Sequence, residues 1–130
     1  APKDTLIDGM SVLTFAISRP PKSIQQIIDD YHIDVNADID YFLIHQANKL
    51  IVDRVVKKLK LPIEKVPYDL EEFGNLGGAS IPSLMVTRIA EPMRNKQPIK
   101  MLCSSFGLGL SWGTMIITAK NVVIPELIEI

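Results

Sequence analysis

The sequence predicts an α/β domain in which helices cover both faces of a mixed sheet. Helical and strand-like patterns alternate along the chain. Residues 39–45, IDYFLIH, form a short apolar run that is typical of a strand buried on both faces. Residues 47–60 follow it with apolar side chains at helical spacing. A chain of 130 residues has the length of one domain, so we expect a single domain over residues 1–130.

The first elements are predicted to be helices. Residues 9–20, GMSVLTFAISRP, are apolar and favour a helix, with a strand as the alternative, and Pro20 and Pro21 close this segment. Residues 21–33 have isoleucines at helical spacing, which predicts a second helix whose first turn accommodates Pro21.

The rest of the chain continues the alternation. Residues 64–70, EKVPYDL, are a short segment before the glycine-rich turn that opens a helix over residues 73–93. Two strand-like segments follow at residues 99–106 and 111–119, separated by a glycine turn. The order is therefore helix, strand, helix, strand, helix, strand, strand, in which residues 64–70 supply the second strand.

Composition limits the classes of partner. The 14 basic and 15 acidic residues nearly cancel, so no nucleic-acid or membrane partner is expected. No apolar run reaches the roughly 20 residues that span a bilayer, and the first residues lack the features of a signal peptide. The single cysteine excludes an internal disulfide and fits a reducing compartment, which predicts a cytoplasmic protein. Only 22% of the residues are charged, which leaves room for a large partner surface.

A candidate site lies at one rim of the predicted sheet. His45, Asn75 and the turn at residues 107–110 all come just after predicted strands, where ligands gather in such sheets. Taken alone, a histidine such as His45 is more often a structural residue than a catalytic one, and Asn75 beside Gly74 is more often a turn residue. Their significance depends on the motifs around them.

Three motifs in order resemble the C-terminal half of a β-ketoacyl-acyl-carrier-protein synthase III, a thiolase-fold condensing enzyme. They are HQAN at residues 45–48, GNLGGASIP at 74–82 and SSFGLGLSWG at 104–113. The resemblance covers roughly residues 8–120. It implies a thiolase-like layered half-domain with a mixed sheet of the five-stranded type. It also implies an N-terminal half, carrying the nucleophile, that is absent from this sequence.

The resemblance assigns roles to five residues. In the family, a cysteine takes an acyl group from acyl-coenzyme A, and malonyl-acyl carrier protein is then decarboxylated to an enolate that attacks it. His45 and Asn75 match the pair whose N–H groups stabilise the charge on the malonyl thioester oxygen. The backbone N–H groups of Gly107, Leu108 and Gly109 match the turn that serves the second oxyanion site. No cofactor and no metal are implied.

The chain departs from the family pattern at two places and lacks a nucleophile of its own. Leu76 and Gly77 stand where a Thr-Ser pair is more usual, and Leu108 replaces a glycine, which narrows the space beside the turn. Cys103 lies within a strand-like run, where a thiol is most often a buried apolar side chain. We therefore expect no nucleophile in this chain and no condensing activity from the chain alone.

Two surfaces are predicted to bind partners. The basic side chains of the helix after HQAN form either a solvated face or a docking site for the acidic acyl carrier protein. These side chains are Lys49, Arg54, Lys57 and Lys58. Family members are dimers, so a homo-oligomer is expected. The helix that follows the GNLGGASIP motif is expected to lose its cover with the missing half, and to self-associate through Ile81, Leu84, Met85 and Ile89.

Two other classes of function were weighed against the enzyme. In a nucleotide-binding module, the GNLGGAS turn would cradle a phosphate at a helix N-terminus, but the Walker lysine is missing. The GLGLSWG turn leads into a strand instead of the helix that such a motif requires. A noncatalytic domain that binds a carrier protein or another partner stays open.

Overall fold

The computed structural model describes residues 8–107 and 109–130. These residues form six α-helices and three β-strands. In chain order they are α1 (Gly9–Ala16), α2 (Arg19–Asp30), β1 (Tyr41–Ile44), α3 (Lys49–Leu59), α4 (Leu70–Phe73), α5 (Ser80–Thr87), α6 (Ala90–Asn95), β2 (Ile99–Gly107) and β3 (Ser111–Ala119).

The three strands form one mixed sheet in the order β1-β2-β3. β1 runs parallel to β2, with Tyr41 opposite Met101, and β3 runs antiparallel to β2, with Ile99 opposite Ala119. The predicted α/β class, the mixed sheet and the burial of the first strand are confirmed. The sheet has three strands in the described residues, where the sequence analysis expected the five-stranded type.

The strand expected at residues 64–70 is wrong. A 3-10 turn occupies Ile63–Lys65, and the residues after it have no strand neighbour. Pro67 has no N–H to offer a sheet, and the N–H of Asp69 donates to the side-chain oxygen of Gln46 at 3.3 Å. The N–H groups of Lys65 and Val66 donate to the carbonyl oxygens of Pro62 and Ile63. None of these backbone donors is paired with a strand.

The first two helices lie where the sequence predicted them, with Pro21 in the first turn of the second as expected, and Pro20 beside it instead of at the end of the first. α1 is capped by Asp8, whose side chain accepts from the N–H groups of Met10 and Ser11. Pro20 and Pro21 lie in the first turn of α2, where a missing N–H costs no intrahelical bond. At 12 residues α2 is the longest helix of the described chain, and none of these helices is long and apolar enough to cross a bilayer.

The helix that the glycine-rich turn within residues 73–93 was predicted to open begins at Ser80 but is divided into α5 and α6. α4 ends at Phe73, and a 3-10 turn at Gly77–Ala79 leads directly into α5. α5 ends where the N–H of Ile89 donates to the carbonyl oxygen of Leu84, five residues earlier, which widens the last turn before α6.

Apolar side chains fill both sides of the sheet. On one side, Phe42, Ile44 and Leu102 pack with residues of α1, α2 and α3. On the other side, Leu43 and Met101 pack with residues of α5 and α6. Helices therefore cover both faces of the sheet, as the sequence predicted.

The α5 face that was expected to be uncovered is covered by its own domain. Leu84 is fully buried and Ile89 is 2% exposed, because both pack on the side of the sheet that carries Leu43. Ile81 and Met85 are half-buried against the same cluster. The expectation that this face lost its cover is wrong, and it supplies no open surface for self-association.

Replacement of Leu84 tests this part of the core. We expect Leu84→Ala to lower the free energy of unfolding by about 2–5 kcal/mol, because it removes a fully buried side chain and leaves a cavity. Urea denaturation of the chain measures the change. Ile63→Ala is the control, since Ile63 is 74% exposed and its replacement should change stability by less than about 0.5 kcal/mol. Equal effects of the two substitutions would contradict this packing.

Candidate active site

A cavity of about 890 Å³ opens at the rim where the sequence placed its candidate site. Its walls come from α1, the end of β1, the glycine-rich turn before α5, and the β2–β3 connection. Among its lining residues are His45, Asn75 and Gly107, together with the aromatic side chains of Phe15, Phe106 and Trp112. The structure thus brings three of the predicted site residues to one mostly apolar cavity.

His45 is fixed at the end of β1. Its backbone N–H donates to the carbonyl oxygen of Ser104 at 2.9 Å, which extends the pairing with β2 by one residue. The imidazole is 6% exposed and meets the ring of Phe106 edge-on, with ring centroids 4.9 Å apart. Burial lowers the pKa of His45, which favours the neutral ring at pH 7. Its Nδ1 is buried without a hydrogen-bond partner among the described residues.

The residues after His45 turn the chain sharply from strand to helix. The N–H of Ala47 donates to the carbonyl oxygen of His45 at 3.1 Å. Asn48 then caps α3, because its side-chain oxygen accepts from the N–H of Ile51 at 2.9 Å. The HQAN motif is therefore a complete strand-to-helix connection, and its geometry holds the imidazole at the cavity wall.

Asn75 lies in a turn that needs left-handed glycine conformations. Gly74 and Gly77 have φ angles of 67° and 58°. The side-chain oxygen of Asn75 accepts from the N–H of Gly77 at 2.9 Å, as in other turns built around asparagine. Its oxygen is thereby engaged, and its NH₂ group is available as a donor. In contrast to His45, Asn75 is exposed.

The turn between β2 and β3 contributes less than the sequence predicted. Gly107 ends β2 opposite Ser111 and lines the cavity. Gly109 has a φ of 113°, which favours glycine, but is not part of the cavity wall. Leu108, the third predicted residue of this turn, lies outside the described residues.

Comparison with known proteins identifies the family of this chain. The family model described as 3-oxoacyl-[acyl-carrier-protein (ACP)] synthase III C terminal matches residues 34–119. This chain belongs to that family. The resemblance inferred from the three motifs is therefore confirmed, and each motif lies within the matched residues.

Curated relatives and solved structures extend the similarity. The chain is 42% identical over 115 residues to the β-ketoacyl-[acyl-carrier-protein] synthase III of Streptococcus pneumoniae strain Hungary19A-6, and equally to that of strain CGSP14. The aligned residues cover 86% of this chain but 35% of each relative. The 3-oxoacyl-(acyl-carrier protein) synthase of Burkholderia xenovorans LB400 superimposes with a TM-score of 0.85 at 30% identity, covering 93% of this chain and 34% of that one. FabH of Pseudomonas aeruginosa PAO1 gives 0.75 at 29% identity, covering 91% and 37%.

The basic side chains of this synthase III domain are exposed on α3, as predicted, but outside the cavity wall. Lys49, Arg54, Lys57 and Lys58 are all solvent-exposed. Lys49 lies near the Tyr68 ring, with its Nζ 5.6 Å from the ring centroid. Lysines in the last turn of α3 also interact favourably with the negative end of the helix dipole.

Cys103 does not reach the site of this synthase III domain. It lies in β2 opposite Leu43, is 6% exposed and is not part of the cavity wall. Burial raises its pKa to about 11, so the reactive thiolate is scarce at neutral pH. Within the described residues, no three histidine, cysteine or carboxylate side chains cluster so as to hold a metal ion.

Two buried residues to which no role was assigned from the sequence support the residues of the site. Gln46 is fully buried, and its Nε2 donates to the carbonyl oxygen of Ile44 at 2.8 Å. Asp69 is 1% exposed and accepts hydrogen bonds from two hydroxyls of α5. The position of Gln46 inside the HQAN motif was a signal for it, whereas Asp69 lies in a segment that was expected to be a strand and belongs to none of the three motifs.

The titration of His45 predicts a pH dependence of stability. The pKa of His45 in the folded chain lies below its ordinary value of 6.5. Below pH 6.5 the unfolded chain therefore binds more protons at His45 than the folded chain does. Stability should therefore fall as the pH drops below about 6.5, and the loss should be absent above it. Urea denaturation at pH 5.5 and pH 7.5 measures this difference. His45→Gln should reduce it, whereas the control His32→Gln keeps His45 and should retain it; the same difference in both variants would contradict the assignment.

Cys103 should resist alkylation while the chain is folded. A pKa raised from 9.0 to about 11 lowers the thiolate fraction about 100-fold at pH 8, and burial slows access further. We expect iodoacetamide to modify the native chain at least about 100-fold more slowly than the chain in urea, as followed by mass spectrometry. Rapid, stoichiometric labelling of the native chain would show that the thiol is accessible.

Proposed function

We propose that this chain is the C-terminal catalytic half of a 3-oxoacyl-acyl-carrier-protein synthase III. The whole protein would catalyse the decarboxylative Claisen condensation of an acyl-coenzyme A with malonyl-acyl carrier protein, in fatty acid or related biosynthesis. The chain spans about 35% of the curated relatives it matches, so this activity belongs to a longer protein. The observation that best supports it is the cavity that His45, Asn75 and Gly107 share.

His45 and Asn75 would act on the malonyl group. When the carboxylate leaves as CO₂, the electron pair of the broken C–C bond moves onto the thioester oxygen and forms an enolate. Two fixed N–H donors stabilise that oxygen without a proton transfer. The lowered pKa of His45 favours a neutral ring, which donates from one nitrogen. The side-chain oxygen of Asn75 accepts a hydrogen bond from the N–H of Gly77. This bond orients the NH₂ group of Asn75 as the second donor.

The aromatic walls strengthen this interaction. Phe15 packs edge-on against both Phe106 and Trp112, with centroid distances of 6.3 and 5.4 Å. A ligand that fills a cavity lined by such rings displaces water, and a hydrogen bond to a developing charge is stronger where the local dielectric is low.

The enolate carbon would then attack an acyl thioester on a cysteine of the N-terminal half. A new C–C bond forms, the C–S bond breaks, and the enzyme thiolate is released. The backbone N–H groups of Gly107, Leu108 and Gly109 would stabilise the oxyanion of this second step. Since the nucleophile comes from outside this single-domain chain, the chain alone would be inactive, and no cofactor or metal is required.

The acyl carrier protein is the proposed macromolecular partner. The exposed side chains of Lys49, Arg54, Lys57 and Lys58 give α3 a positive surface that attracts an acidic partner and accelerates its encounter. A noncatalytic domain would retain this binding without any turnover by the full-length protein, which separates the two alternatives.

The assembly and location are further parts of the proposal. A homo-oligomer cannot use the α5 face, which is buried in its own domain. The free edge of β3 is a better candidate surface, because this strand carries no charged residue and exposes Trp112 and Met115. A cytoplasmic location stays a prediction from the sequence.

Replacement of the two donors tests the proposed function. In the full-length protein, His45→Ala and Asn75→Ala should each lower malonyl-carrier-protein decarboxylation about 10²–10³-fold, because each removes one donor to the developing oxyanion. Acylation of the nucleophile should change far less. Release of labelled CO₂ and uptake of labelled acyl groups measure the two steps.

Matched controls exist for both substitutions. His32→Ala and Asn95→Ala remove the same side chains from exposed positions outside the cavity wall. They should leave both steps unchanged. Decarboxylation at the parent rate by both His45→Ala and Asn75→Ala would refute the proposed roles.

A further inference from the structure

A buried carboxyl group connects the segment before Asn75 to the helix after it. The Oδ2 atom of Asp69 accepts from the hydroxyl of Ser83 at 2.7 Å and from that of Thr87 at 2.9 Å. The Thr87 hydroxyl also lies 2.8 Å from the carbonyl oxygen of Ser83, so Ser83 supplies the unshared bond. Both hydroxyls project from one side of α5, four residues apart.

The backbone of the same residue connects to the loop that carries His45. The N–H of Asp69 donates to Oε1 of Gln46 at 3.3 Å, a long hydrogen bond, while Nε2 of Gln46 donates to the carbonyl oxygen of Ile44 at 2.8 Å. Gln46 directly follows His45 in the chain. A continuous series of hydrogen bonds therefore runs from the end of β1, through Gln46 and Asp69, to α5.

The turn that carries Asn75 has no buried residue of its own, and its other links to the end of α5, from Arg88 to Glu72 and to the Tyr68 carbonyl oxygen, are exposed. Residues 74–79 are all exposed, so no core packing fixes their position. On its N-terminal side the turn is anchored at Asp69, and on its C-terminal side at α5, the two elements that the carboxyl group joins. Where Asn75 lies relative to His45 thus depends on these buried bonds.

We propose that Asp69 is a positioning residue. Through Gln46 and α5, it keeps the turn that carries Asn75 at a fixed position relative to His45. The proposal rests on the proposed function of His45 and Asn75 as donors to one oxyanion. Asp69 is not part of the cavity wall, so it acts through those residues and not on the substrate. Displacement of a donor by about 1 Å can cost about 10²-fold in rate, which gives such a residue a measurable effect.

The kinetic test uses the full-length protein with Asp69→Leu and the milder Asp69→Asn and Ser83→Ala. Asp69→Leu removes both acceptor oxygens, and we expect at least a 10-fold fall in the kcat of malonyl decarboxylation with little change in KM. Acylation of the nucleophile should keep its parent rate. Asp69→Asn retains one acceptor oxygen and should restore part of the loss, and Ser83→Ala should lower the rate in the same direction.

The matched control is Glu72→Gln. The carboxylate of Glu72 also ties this segment to the end of α5, through Arg88 at 2.7 Å, but from the exposed surface. It should leave both steps unchanged. Equal losses of acylation and decarboxylation in the Asp69 and Ser83 variants, or no loss of decarboxylation in any of them, would overturn the positioning role. If Asp69→Leu does not fold, the two milder variants decide the question.

A spectroscopic readout separates this proposal from the proposed function. With selectively labelled histidine and asparagine in the full-length protein, Asp69→Asn and Ser83→Ala should shift the imidazole resonances of His45 and the side-chain amide resonances of Asn75. Glu72→Gln should shift neither. A parent protein that does not decarboxylate malonyl-carrier protein refutes the function, and the positioning claim is then decided by the resonances alone: unchanged resonances in both variants would overturn it.

Discussion

The parallel pairing of β1 with β2 is the interaction on which the rest of this structure depends. Four residue pairs, from Tyr41 with Met101 to Ile44 with Ser104, join segments that are 60 residues apart in the sequence. Because alternate side chains of β1 point to opposite faces, Phe42 and Ile44 enter the core under α1 to α3, whereas Leu43 enters the core under α5 and α6. The same ladder, continued by the N–H of His45, sets the depth of the imidazole beside Phe106.

The two side chains His45 and Asn75 at the cavity differ in burial, because different kinds of element carry them. His45 follows a strand that is packed on both faces, so its position comes from the core. Asn75 belongs to an exposed turn between two short helices, so its position comes from a few polar contacts.

The sequence predicted those features that leave a local pattern. The apolar run of β1, the spacing of the isoleucines in α2 and the turn glycines around Asn75 each depend on neighbouring residues, and each was predicted correctly. Pro21 was placed correctly in a first turn, but Pro20 was assigned to the end of the first helix, because a proline suits a first turn as well as it follows a last one. The segment over residues 64–70 looked like a strand but found no partner, and partners are not visible in a local pattern. The network of Asp69, Gln46 and Ser83 joins three distant segments, which no spacing along the chain could indicate.

Trp112 has a consequence for solution studies of this protein. It is the only tryptophan of the chain, it lines the cavity, and it is 46% exposed between the ring of Phe15 and the guanidinium of Arg19. All indole fluorescence of this chain therefore originates at the cavity wall. Emission is sensitive to local polarity and to nearby charge, so the binding of a ligand that displaces water from the cavity can be followed by this emission, without any added dye.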